Sequence, residues 1–119
     1  MNKAQRKELQ LVVDKLNNIT GFLEGVEDAD YDAIDTDLIK SELSHCETVV
    51  TDMASSEREK FDNMSEGLQQ SETGQNIETA ADTLENVTWP ELPEELDDET
   101  AEVFINEVGE VIAELENFT

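Results

Sequence analysis

Residues 28 to 37 read DADYDAIDTD, five aspartates in ten positions with no positive charge among them. Clustered carboxylates are calcium ligands when their spacing is right. An EF-hand loop takes oxygen ligands at positions 1, 3 and 5, glycine at 6 for the turn, and a bidentate glutamate at 12. Counted from Asp28, the first three fall on Asp28, Asp30 and Asp32, but position 6 is Ala33 and position 12 is Ile39. The loop therefore lacks its turn and its strongest ligand, and only the diffuse cation binding of a polyanion is expected. His45 and Cys46 are adjacent, yet the chain has no second cysteine or histidine. A zinc site needs about four ligands, so none is expected. Nucleophilic catalysis by this pair would need activation and an oxyanion site, and nothing in the sequence supplies either. Carboxylate pairs are too abundant to signal acid–base catalysis, and no glycine-rich phosphate loop is present. The expectation is a protein that is not an enzyme and carries no cofactor or metal.

What stands out is the charge. The chain has 31 acidic and 7 basic residues, a formal net charge of −24 over 119 residues. Lys3, Arg6, Lys7 and Lys15 lie within the first fifteen positions, and no lysine or arginine follows Lys60. A surface this acidic repels nucleic acid and anionic membranes, so an electrostatically chosen partner is basic. Duplex DNA carries a charge every 1.7 Å, so 24 charges match about 40 Å of duplex, the length of a helix of about 27 residues. Carboxylates on helices can thus stand in for phosphates. Candidate carriers are Asp28, Asp30, Asp32, Asp35 and Asp37, with Glu91, Glu94, Glu95, Asp97, Asp98 and Glu99 in the second acidic stretch. Two blander readings compete: acidity for solubility at high salt, or acidity that solubilises a protein working through apolar helix contacts. The preference for Glu over Asp and Lys over Arg, with many Asn, Gln and Ile, argues against the first. Trp89, in VTWPELPEEL, either closes one end of the core or anchors a partner as an exposed aromatic.

The elements that must position these residues are helical. Leu9, Val12, Leu16, Ile19, Leu23 and Val26 recur every three or four residues, a single stripe close to a heptad seam. Gly21 and Gly25 weaken its last turns. A second stripe runs through Ile39, Leu43, Cys46, Val50, Met53, Phe61 and Met64, with Asp35 or Thr36 as its N-cap. A third takes Ile77, Ala80 or Ala81, Leu84 and Val87 and stops before Pro90 and Pro93. The last is Phe104, Val108, Val111, Leu115 and Phe118, starting near Asp97 or Asp98. No strand alternation of useful length appears. The prediction is one all-α domain over residues 1–119: four helical segments in an elongated antiparallel bundle or hairpin, with connecting loops at 63–76 and 88–96. Long helices in a small chain leave much surface exposed, so a homodimer sharing the core is compatible with the pattern. No run is long and apolar enough to span a membrane and no signal peptide opens the chain, so a cytoplasmic protein is expected.

The segment KFDNMSEGLQQSETGQNIETAADTLENV, residues 60 to 87, resembles small helical proteins of bacteriophages and prophages in which an F-D-N-x-P-E-x-L-Q turn joins two amphipathic helices. Phe61, Asp62, Asn63, Glu66, Leu68 and Gln69 match, and Ser65 stands where proline is usual. The opening KAQRKELQLVVDKLNNI is similar to the basic first helix of those proteins. The resemblance covers under half of the chain; the acidic segment from Asp28 and the WPELPEEL stretch depart from it. It implies phage origin and a helical hairpin. By composition alone, the chain also resembles phage DNA-mimic inhibitors of restriction and other host defences. That likeness implies a basic DNA-binding host partner (a restriction, CRISPR, repair or nucleoid protein), bound in the bacterial cytoplasm without direct contact to nucleic acid.

Overall fold

The computed structural model describes residues 2–26, 31 and 34–119. Five helices follow in order: α1 (Lys3–Glu24), α2 (Thr36–Asp62), α3 (Glu66–Gln69), α4 (Glu72–Glu85) and α5 (Asp98–Glu116). The molecule is elongated, 59 × 21 × 20 Å. All-helical character is as the periodicity predicts, and none of the helices is long and apolar enough to cross a membrane among the described residues.

Each long helix begins where a polar side chain can accept free backbone N–H groups. Asn2 and Gln5 form a capping box on α1, Asp35 Oδ1 accepts from Leu38 N at 3.1 Å on α2, and Asp97 caps α5. Of the two N-caps the sequence allows for α2, Asp35 is the one used. α1 ends at Glu24 with Gly25 as its C-cap, so the helix stops early as the glycines predict. Val26 accordingly falls outside α1 and is only half-buried.

The expected loop at 63–76 is the main correction. Within it only 63–65 and 70–71 are outside helix; α3 fills the middle and α4 begins at Glu72, so the described residues form five helices rather than four. The reason lies in the serines. Ser65 caps α3 through Leu68 N, and Ser71 caps α4 through Gly74 N at 3.2 Å. A composition that suggests a loop instead starts two helices. Gln69 Nε2 donates to Phe61 O at 2.8 Å, tying the turn to the carbonyl end of α2. Ser65 keeps the start of α3 by capping it. The second expected loop, 88–96, is irregular throughout.

The stripes meet in one core. Leu9, Leu16, Leu23, Val50, Phe104 and Leu115 are essentially inaccessible, each worth about 1.5–3 kcal/mol on burial. α1 packs on α5 and α2 on α4, with a looser α1–α2 contact. Lys60 near the end of α2 reaches Gln5 near the start of α1, and the Tyr31 hydroxyl donates to Asp98 Oδ1 at 3.2 Å. α1 therefore runs opposite to both α2 and α5. Because α4 has only 14 residues, it covers just the second half of α2. The segment 87–96 continues as a strap over the first half, with Pro90 and Leu92 buried beside Lys40, Leu43 and Ser44.

Among the described residues, one core position is charged. Glu57 continues the α2 stripe and is fully buried, its Oε1 accepting from Lys60 Nζ at 3.0 Å. The same ammonium donates to Gln5 Oε1 at 2.7 Å, linking α2 to the first turn of α1.

Candidate functional site

Antiparallel packing sorts the charges by end. The start of α5 lies at the same end as the start of α2, Asp98 accepting from Tyr31 just ahead of the α2 cap. Here stand Asp35, Asp37, Asp97, Asp98 and Glu99, with Glu91, Glu94 and Glu95 on the adjoining strap, all exposed. Asp28, Asp30 and Asp32 lie outside the described residues. Toward the opposite end are Lys3, Arg6 and Lys7 on α1 with Arg58 and Lys60 on α2, five of the seven cations. Thus eight of the eleven carboxylates chosen from the sequence share one end of the rod.

Some of them have structural duties. Asp97 Oδ1 accepts from Thr100 N at 2.8 Å and from the Thr100 hydroxyl at 3.1 Å. These hydrogen bonds, backbone first, hold the Asp97 carboxyl below its ordinary value. Asp35 caps α2, and Asp98 accepts from Tyr31. Asp37, Asp98 and Glu99 also occupy first turns, where they face the positive ends of the helix dipoles. Two helix starts at one end therefore account for part of the acidity there. Glu91, Glu94 and Glu95 lie on the strap and cap nothing, leaving them as surface charge. Over a length of 59 Å, duplex DNA would carry about 35 charges. The average along this rod is about two thirds of that, lower than a 40 Å length would give.

At the other end the cations are partly spoken for. Arg58 donates Nε to Glu85 Oε1 at 3.1 Å and Nη2 to Asp82, clamping α2 to α4. These bonds push the guanidinium pKa further up, so it stays charged.

Cys46 is completely buried in the core, and burial pushes its thiol pKa up, which disfavours the thiolate a nucleophile or zinc ligand needs. His45 beside it is exposed. Among the described residues no group of three His, Cys, Asp or Glu could hold a metal ion. Trp89 is half-buried against the core, in a cleft of about 200 Å³ with Thr51, Ala54, Ser55 and Leu84. Sequence reasoning missed a second set of residues: Leu11, Phe22 and Leu38 are each more than half exposed. Their signal was a spacing of eleven on α1 and again from Leu38 to Val49 on α2, one step off the core stripes.

No protein-family model matches the chain, and no curated protein or solved structure matches it.

Proposed function

We propose that this chain is a phage- or prophage-borne DNA mimic, its helices forming an antiparallel bundle that presents carboxylates to a basic, nucleic-acid-binding host protein in the bacterial cytoplasm. The observation that carries the reading is the gathering of Asp35, Asp37, Glu91, Glu94, Glu95, Asp97, Asp98 and Glu99 at one end of the rod. Their role is to engage arginines and lysines that phosphate would otherwise occupy. A rod about as wide as a duplex suits a groove shaped for DNA. The opposite end holds most of the cations, so a basic partner is steered to the acidic end first.

The experiment is capture from bacterial lysate on the immobilised protein at low salt, followed by elution with rising salt. Recovery of a nucleic-acid-binding protein that elutes well before ~0.5 M salt, where exposed charges are largely screened, supports mimicry. Recovery only of proteins held beyond that concentration favours a helical interaction protein working through apolar contacts, with acidity serving solubility.

A further inference from the structure

We infer that the crevice between α1 and α2 is a docking groove for a basic, amphipathic α-helix of a partner protein. The groove is walled by Leu11 and Val49 above the buried Val12 and Cys46, with Glu8, Asp14, Lys15, Asn18 and His45 at its rim. Its volume is about 470 Å³. It exists because α1 is committed to α5 and α2 to α4, leaving the α1–α2 seam the more open one.

The apolar face extends beyond the groove itself. Leu11 is 62% exposed and Phe22 56% exposed; eleven residues apart, they sit about 20° from each other around the helix at 3.6 residues per turn. Leu38, 55% exposed, bears the same relation to Val49 on α2. Because α1 and α2 run antiparallel, Phe22 and Leu38 flank one end of the crevice and Leu11 and Val49 the other. Lys15 and Asn18 on α1 and His45 on α2 stand between them, so two apolar patches about 16 Å apart result, three turns of helix at 1.5 Å per residue. A helix whose apolar residues recur along one face at i, i+4, i+7 and i+11 meets both patches.

Charge decides between occupants. Glu8 and Asp14 line the groove, with Lys15 the cation among its lining residues. A second copy would bring another −24 charge against a chain that already carries −24, whereas lysines and arginines flanking a partner helix complement it. This groove is separate from the acidic end and shares with the previous proposal only the sign of the partner's charge.

The test titrates the full chain with a fluorescein-labelled synthetic 18-residue peptide, leucine on one helical face and lysine and arginine elsewhere, against a scrambled peptide of equal composition. Anisotropy at 0.3 M NaCl is expected to show the amphipathic peptide binding about tenfold tighter than the scramble, the value of one well-buried side chain. Leu11→Ser should abolish that preference, and so should the pair Phe22→Ser and Leu38→Ser. All three side chains are more than half exposed, so the fold is retained, as helical circular dichroism will verify. Asp37→Asn with Glu91→Gln, Glu94→Gln, Glu95→Gln and Glu99→Gln should leave the preference intact, which separates this groove from the acidic end. Equal binding of the two peptides, or a preference unchanged by either serine variant, overturns the inference. So does a parent dimer in light scattering that Leu11→Ser converts to monomer, because a second copy would then be the occupant.

Discussion

Replacing Lys60 by alanine removes the ammonium from a carboxylate that has no access to solvent. Glu57 is fully buried and Lys60 Nζ lies 3.0 Å from its Oε1, while the lysine side chain itself keeps 38% of its exposure. Breaking a buried pair from one side costs about 3–5 kcal/mol. Water reaching the exposed ammonium weakens the pair, so the low end, about 3 kcal/mol, is expected for Lys60→Ala. The ammonium also binds Gln5, and its loss loosens the first turn of α1. Replacing both partners, as Glu57→Leu with Lys60→Met, removes the buried charge as well as the bond. That double variant should be as stable as the parent or more so. Urea unfolding followed by circular dichroism gives both values, provided the slope with denaturant is unchanged. Lys60→Ala within about 0.5 kcal/mol of the parent, the ordinary range for surface substitutions, would show that Glu57 is not held as described.

Gly109→Ala and Gly21→Ala should each raise stability by roughly 0.5–1 kcal/mol, because a methyl group at either helical position meets nothing within 4 Å. Gly74→Ala should instead destabilise by about 1–3 kcal/mol, since its Cβ would fall 2.2 Å from Leu68 O; thermal melts separate the signs. Asp97 has a lowered pKa in the folded chain, so its contribution is present above its ordinary value of 3.8 and fades as pH falls through the lower folded value. The melting-temperature gap between the parent and Asp97→Ala should therefore be constant at neutral pH and close in acid. Calcium at micromolar concentration should not raise the melting temperature saturably, whereas a dedicated site would add about 2.7 kcal/mol at a hundredfold excess over its Kd.

Periodicity made the core legible. Leu9, Val12, Leu16, Ile19 and Leu23 are buried on α1, and Phe104, Val108, Val111 and Leu115 on α5, because a spacing of three and four admits one face to the interior. Val13, Ala54, Ala101 and Ile112 are buried too, widening stripes that a strict heptad reading keeps narrow. Glu57 was hidden because a hydrophobic pattern passes over a charged residue at a core position. Serine favours loops and helix caps alike, so the composition of 63–76 does not distinguish a loop from the two helix starts that Ser65 and Ser71 cap. The eight described acidic candidates were visible as composition. That they meet at one end depends on the antiparallel order of α1, α2 and α5, which no local pattern contains.

In the proposed role, exposed carboxylates compete with DNA for a basic protein. Release of bacterial lysate proteins from immobilised duplex DNA, on addition of this chain at rising concentration, measures that competition directly. Selective release of a nucleic-acid-binding protein by the parent is expected. Much weaker release is expected from the variant carrying Asp37→Asn, Glu91→Gln, Glu94→Gln, Glu95→Gln and Glu99→Gln, which spares the caps Asp35 and Asp97 and the Tyr31 partner Asp98. No release by the parent, or equal release by both proteins, would contradict it.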